Sequence, residues 1–520
     1  MQREIKHGDG YLIHAACKNG MEKCLMKIVE SMGHLDILQL SRKDKLGFVP
    51  IHKAAINNHA NLVRFIGSKS KRFVNETTEN SQTALVLAAQ CGHTSVVEQL
   101  LDLKADFTIS DDSDRTVLHY AIEYPEMLKL LLKKKDLSRL LINAKEKDGY
   151  TPVHNAALRG FIESVRILLE YGAELNVFTN TSRSPLHCAV SSQSCAVVEL
   201  VLANEPALIN KADATGKTPL HTAASYGSAQ VVKCLLNNGA LIVRDGNMFS
   251  PLHIAASKGH LSIVEMVVAF DNNIIDWPNK YRRTALLTAA SSCKTDVVKF
   301  LLDKNAAITE DYEFLNCLDW SLVKNDKQSA MMMMCHDRWK EIMITAKNGT
   351  EGTMYKLVCS MPEVAYRALS NSRMSVGHPD TKEHWVRYNF MCLQDPSPPE
   401  SNKKATKLKP LTAIKAMIRM NCYRCLCHPV CCKYLKEKWM DFGWKVYSAS
   451  LLIYLVFLVS LNVYAFGIPS YQESRENKGE DGASINVKVA MVICIVFAGV
   501  NSFKEIVQLM VYKFNYFLDK

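Results

Sequence analysis

Little in this sequence points to chemistry. No kinase signature, no phosphate-cradling glycine loop and no hydrolase nucleophile motif is present, which argues against an enzyme. The Asp-His-His-Cys motif of protein acyltransferases is missing too; the nearest text, CHPVC at 427–431, precedes the first long apolar run instead of following the second. A net charge of +11 over 520 residues is modest and comes with no DNA- or RNA-binding motif, so nucleic acid is not an expected partner. The opening MQREIKHGDGYLIHAACKNG lacks an apolar core stretch, so no secretory leader is expected. The 17 cysteines are scattered and, without a leader, are read as reduced cytosolic thiols. Uncharged apolar runs long enough to cross a bilayer are lacking until residue 446.

What the chain does have is a period near 33 residues. GKTPLHTAASYGSAQVVKCLLNNGA (216–240) recurs as MFSPLHIAASKGHLSIVEMVV (248–268), GYTPVHNAALRGFIESVRILLEYGA (149–173), SRSPLHCAVSS (182–192) and GFVPIHKAAINNHANLVRFI (47–66). Weaker copies lie at 81–105, 114–122 and 282–306, with YLIHAACKNG (11–20) opening the series and FLNCLDWSLVKND (314–326) closing it. That makes about ten units. Each position has a physical task. Thr218 and Pro219 suit a helix start, Ala223 and Ala224 allow close helix packing, and Gly227 supplies a left-handed stop. Val231, Val232, Leu235 and Leu236 make an apolar stripe at helical spacing, and Gly239 stops that second helix. One such unit cannot bury its apolar face alone, so stability comes from stacking.

These residues resemble the ankyrin repeat over residues 8 to 326. The expected fold class is all-α: an ankyrin-repeat solenoid, a helical linker region and two transmembrane helices. The recurrent histidines His14, His52, His119, His154, His187, His221 and His253 are expected to be structural, bonding turn backbone. Neighbouring copies lie a repeat apart, too far to share one metal ion. Proteins docked on the repeat surface are the expected soluble partners.

The domain reading is 1–326 solenoid, 327–445 cytosolic linker and pre-membrane region, 446–467 first membrane helix, 468–484 extracellular loop, 485–503 second membrane helix and 504–520 cytosolic segment. The methionine-rich QSAMMMMCHDRWKEIM (328–343) is expected to close the open end of the solenoid. VYSASLLIYLVFLVSLNVYAFG (446–467) is uncharged, and its 22 residues reach about 33 Å as a helix, enough to cross a bilayer. The second run, 484–503, carries only Lys488 near one end. Lys433, Lys436, Lys438 and Lys445 precede the first span and Lys504, Lys513 and Lys520 follow the second, while the loop between them is acidic. The positive-inside rule therefore puts both ends of the chain in the cytosol. Asn501 and Ser502, polar groups within the second run, are expected to face further helices. In and just before CLCHPVCCKYLKEKWMDFGW (425–444), the crowded thiols Cys422, Cys425, Cys427, Cys431 and Cys432 beside His428 read as acylation candidates at a membrane joint, as a zinc knuckle, or as packing thiols.

HDRWKE (336–341), YNFMCLQDP (388–396), PLTAIKAM (410–417), HPVCCKYLKEKWMDFG (428–443) and FKEIVQLMVYKFNYFLDK (503–520) resemble, in order, segments of the ankyrin-type transient receptor potential channels. The resemblance implies a homotetrameric, calcium-permeable, non-selective cation channel of the plasma membrane, gated by noxious chemical or thermal stimuli, with membrane lipid as a partner. It implies six membrane helices, of which this chain would hold the first two and no pore. Glu505 and Gln508 match two oxygen ligands of that family's cytosolic calcium site, making calcium a regulator; no other cofactor is implied. The family's electrophile-sensing cysteines align with Ile342, Val364 and Asp395, so electrophile gating through those positions is not expected; Cys359 and Cys392 lie nearby but offset. The alternative is a membrane-anchored ankyrin scaffold or a regulatory truncated isoform.

Overall fold

The structure is a computed structural model of the chain. It describes residues 12–32, 40–346, 352–376, 385–393, 411–445, 448–449 and 451–462, and isolated positions between 489 and 496. Two compact units divide at Lys356 and Leu357.

In the first unit, the described residues form ten antiparallel helix pairs, from Leu12–Lys18 with Glu22–Met32 to Cys317–Val323 with Lys327–Cys335. Three local rules recur among the pairs. Val49 and Asn316 substitute at two starts, and Asn58, Gln193, Cys293 and Asn325 take the left-handed turn where glycine is missing. A Thr or Ser in extended backbone begins the first helix: Thr218 has φ −85° and ψ 168°, and Pro219 follows at the first helical position, where its missing N–H costs nothing. A left-handed glycine ends it; Gly227 has φ +83°, and a Cβ there would lie 2.6 Å from the His260 ring of the next repeat. The second helix, Ala229–Asn237, then turns Val231, Val232 and Leu235 inward with no solvent exposure. Paired alanines at 54–55, 88–89, 156–157, 223–224, 255–256 and 289–290 are fully buried, which lets successive first helices approach closely.

A hairpin joins each pair to the next, and in most an acid or its amide sets the turn, with Thr78 and Thr179 in that place at two of them. Asp245 Oδ1 accepts from Asn247 N–H and Phe249 N–H, both at 2.8 Å. Asp44, Asp111, Asp213, Asn279 and Asp311 repeat the arrangement. The hairpin tips are stitched side by side by backbone bonds: Asp112 N–H to Asn80 O, Lys147 to Ser113, Asn180 to Asp148, Ala214 to Thr181, Gly246 to Thr215, Lys280 to Asn247 and Tyr312 to Tyr281, at 3.0–3.3 Å. The result is one continuous strip of fingertips.

The segment 328–343 closes the end of this stack. Ala330, Met333 and Met334 are fully buried. His336 Nε2 lies 3.1 Å from Asp303 Oδ1, and Arg338 grips Glu341 at 2.8 and 3.0 Å while donating to Ala306 O at 2.7 Å. Asn316 Nδ2 donates to Ile342 O at 2.8 Å, tying the tenth pair to helix Trp339–Thr345.

In the second unit, helices Pro362–Asn371, Thr412–Arg419, Tyr423–Leu426 and Pro429–Lys438 accompany an antiparallel hairpin in which Arg373 pairs with Tyr388 and Val376 with Trp385. That hairpin departs from a wholly helical reading. The last helix passes through a π-turn at Trp439–Gly443. Among the described residues, no helix is long and apolar enough to cross a membrane. The expected first span is described as helix over 451–462, about 18 Å, and of the second span only isolated helical positions are described. The loop 468–484, with Asn501, Ser502, Glu505 and Gln508, lies outside the described residues.

Candidate functional site

Two arrangements carry the chemistry: the histidine ladder of the first unit and the cysteine-rich joint of the second. In the ladder, His221 sits three residues into its helix, with Nδ1 3.1 Å from the backbone N of Thr218 and 2.9 Å from its hydroxyl oxygen. A backbone N–H can only donate, so Nδ1 is the bare nitrogen and Nε2 bears the hydrogen. Nε2 donates to Phe249 O, in the next hairpin, at 3.1 Å. The same link runs from His14 to Phe48, His119 to Tyr150, His154 to Arg183, His187 to Lys217 and His253 to Arg283, while His52 reaches Glu76 O. His52, His119, His154, His187, His221 and His253 thus each cap their own helix and pin the following repeat, while His14 makes the second link. Burial holds His52, His119, His154 and His253 down at about 4, and lowers His187 and His221 as well. These are neutral structural imidazoles, spent on backbone.

Where the ladder lacks histidine, other residues take over. Thr83 and Thr284 cap helices whose equivalent positions are Val86 and Leu287. At the tenth pair the cap is Asn316, and Asp319 stands where the histidine would. Burial raises the Asp319 carboxyl, opposed by Lys356 with its Nζ 3.7 Å away. Nearby, Asp311 receives Arg283 Nε at 3.0 Å and Trp320 Nε1 at 2.9 Å, and the guanidinium lies 4.2 Å over the Trp320 ring. The turn-setting acids were not singled out by sequence, yet a signal existed: Asp44, Asp111, Asp213, Asp245, Asn279 and Asp311 each stand six residues before the first helical residue of their repeat.

In the joint, His428 caps helix Pro429–Lys438, its Nδ1 accepting from Val430 N–H at 3.3 Å. Nε2 faces Ser370 Oγ at 3.4 Å, and the Tyr366 ring meets the imidazole edge-on at 5.2 Å. Burial, then Arg373, lowers the affinity of His428 for a proton. Tyr434 packs against Phe390, with ring centres 5.3 Å apart. The five candidate cysteines divide. Cys425 and Cys431 are buried, with Sγ atoms 3.5 Å from Pro362 O and 4.0 Å from Met417 Sδ, and burial pushes both thiols up to about 12. Cys427 and Cys432 are exposed and Cys422 is intermediate. Among the described residues no group of histidine, cysteine and acid side chains is assembled to hold a metal ion. At the positions discussed for electrophile sensing, Ile342 and Val364 are buried apolar side chains and Asp395 lies outside the described residues.

A family model described as ankyrin repeats in three copies matches residues 67–140, 126–213, 204–276 and 241–312. The transient receptor potential cation channel subfamily A member 1 of Homo sapiens is 26% identical over 494 residues, covering 90% of this chain and 44% of that protein. The Drosophila melanogaster protein of the same name is 26% identical over 473 residues, covering 87% of this chain and 39% of its own length. Residues 1–326 make up less than two-thirds of the 520, so matches of that extent must run beyond the repeats. The chain matches the N-terminal region of the ankyrin-type transient receptor potential channels. By contrast, inversin of Mus musculus, 26% identical over 277 residues, covers only 52% of the chain and 22% of its own length. The chain spans less than half the length of the two channel relatives.

Proposed function

We propose that this chain is the N-terminal portion of a subunit of a non-selective, calcium-permeable cation channel that senses noxious chemical or thermal stimuli. The observation that carries the reading is the similarity to channel proteins over 90% of the chain, beyond what repeats alone would produce. A physical feature supports the membrane assignment. Leu451, Leu452, Ile453, Tyr454, Leu455 and Val456 are all 44–65% exposed. At about 100° per residue, six consecutive side chains go right round a helix, so this one is apolar on every side and suits hydrocarbon or further helices. In the proposal, 446–467 and 485–503 are the first two membrane helices of a multi-pass plasma-membrane protein whose solenoid is cytosolic, and four subunits assemble around the pore. Glu505 and Gln508 supply oxygens to a calcium site completed by a third helix. The exposed thiols Cys427 and Cys432 are the acylation candidates facing the membrane joint.

Reading the transcript beyond Lys520 tests the proposal. Four further apolar spans with a pore loop between the last two are expected. A stop codon at that point would overturn the channel reading and leave a membrane-anchored ankyrin scaffold.

A further inference from the structure

The fingertip strip changes character along its length. Tips of the early and middle repeats carry Glu79, Asp112 and Asp114, then Lys147 beside Asp148, then Asn180, Thr181, Ser182 and Thr215. The last three carry Met248, Lys280, Tyr281, Arg282, Tyr312, Glu313 and Phe314, so two cations there face one exposed acid. Large side chains stand open there: Met248 is 42% exposed, Tyr281 45%, Tyr312 63% and Phe314 61%. The backbone bonds Lys280 N–H to Asn247 O and Tyr312 N–H to Tyr281 O, both 3.3 Å, make these tips immediate neighbours, so the apolar groups form one patch. The cations are laid on the rings: Lys280 Nζ lies 5.0 Å from the Tyr281 centroid and the Arg282 guanidinium 5.9 Å from that of Tyr312. Among the described residues, neither Lys280 nor Arg282 has an acidic side chain within ion-pair distance; Lys280 donates to Asn247 Oδ1 at 2.6 Å.

We propose that these three fingertips are a docking site for an extended acidic segment of a partner protein, with an apolar residue between its acids. The aromatic rings supply rigid apolar anchors, and the cations over them supply charge complementarity, which selects acidic partners and speeds encounter. Helices packed about 10 Å apart give three tips a reach of about 20 Å, the length of about six residues of extended chain. The chain's own linker at 397–410 is an unsuitable occupant, because Lys403, Lys404, Lys407 and Lys409 outnumber Glu400 and would be repelled. This inference rests on the solenoid being a protein-binding surface and is independent of the channel reading.

A random peptide library displayed on phage and panned against the whole chain in lipid nanodiscs tests it. The comparison chains are Lys280→Glu/Arg282→Asn and Tyr312→Ala. All three side chains are exposed, and asparagine tolerates the left-handed backbone at 282 (φ 59°), so circular dichroism should be unchanged. The expected binders are rich in Asp and Glu around an apolar residue, and their affinity falls at least about tenfold, or 1.4 kcal/mol, in either variant. Binders without acidic bias, or binders indifferent to both variants, would show that the solenoid binds proteins elsewhere and overturn the site. An absence of binders would overturn the site together with the protein-binding reading. Capture of the chain by phosphatidylserine vesicles, lost in both variants while no acidic peptide binds, would overturn it in favour of a lipid surface.

Discussion

The histidine ladder predicts that mild acid loosens the solenoid. His52, His119, His154 and His253 take up a proton only near about 4 in the fold, because burial and the bare Nδ1 facing a backbone N–H disfavour the imidazolium. In the unfolded chain a histidine titrates near about 6.5. Between those values the unfolded state binds more protons than the folded state, so stability rises with pH across that window and falls as pH drops through it. Above the window both states are neutral and the term vanishes. At about pH 5 the unfolded group is mostly charged and the folded one mostly neutral, a gap of about 1.5 pH units, or about 2 kcal/mol for each histidine. Four such groups give on the order of 8 kcal/mol, comparable with the whole stability of an ordinary domain. Burial raises the carboxyls of Asp44 and Asp213, but bonds from their own turns, with Lys53 at Asp44, outweigh it and leave both lowered, so their contributions are lost at pH values below this window and do not imitate the effect. Urea unfolding of the first unit, followed by far-ultraviolet circular dichroism, is the assay. From about pH 7.5 to about pH 5 the midpoint should fall by at least about 1 M. His253→Gln should be less stable at neutral pH yet show a shallower pH slope, by less than about a quarter because burial lowers His187 and His221 as well. A midpoint that held steady or rose on acidification would refute the reasoning.

Other outcomes follow from single contacts. His221→Ala leaves the buried Thr218 N–H without its acceptor and removes one of the two donors to the Phe249 carbonyl, which keeps Asp245 N–H; it should cost about 1–3 kcal/mol, read as a lowered denaturant midpoint. Asp311→Ala strips the Glu313 and Leu315 amides, the Arg283 guanidinium and the Trp320 indole of one acceptor; it should cost about 3 kcal/mol or more, with Asp311→Asn less severe. Gly216→Ala should destabilise by more than the about 1 kcal/mol of an ordinary left-handed glycine, because its Cβ would stand 2.5 Å from the Gly246 backbone nitrogen. Maleimide applied to the native protein should label Cys427 and Cys432 quickly and Cys425 and Cys431 only after unfolding, as mass spectrometry would read; rapid native labelling of Cys431 would refute the packing described for the joint.

The repeats were legible because each carries its instructions locally. A Thr-Pro or Ser-Pro start, an alanine pair, a glycine stop and a Val-Leu stripe recur in the strong copies, whatever lies beside them. The spacing of His52, His119, His154, His187, His221 and His253 was legible for the same reason, since a period of one repeat separates the copies too widely for one ion. The partner of each histidine was not legible. The Phe249 carbonyl reaches His221 only because one hairpin stacks on the preceding helix, 28 residues away in sequence. The cysteine-rich joint shows the same division: five adjacent thiols look alike in sequence, and only packing against Pro362 and Met417 separates Cys425 and Cys431 from Cys427 and Cys432. Sequence by itself determined the solenoid, its period and the kinship of the segments that follow it, because these depend on spacing along the chain. Tertiary structure decided which thiols are accessible, which acids set the turns and which fingertips meet in one patch, because burial and adjacency arise between residues far apart in the chain.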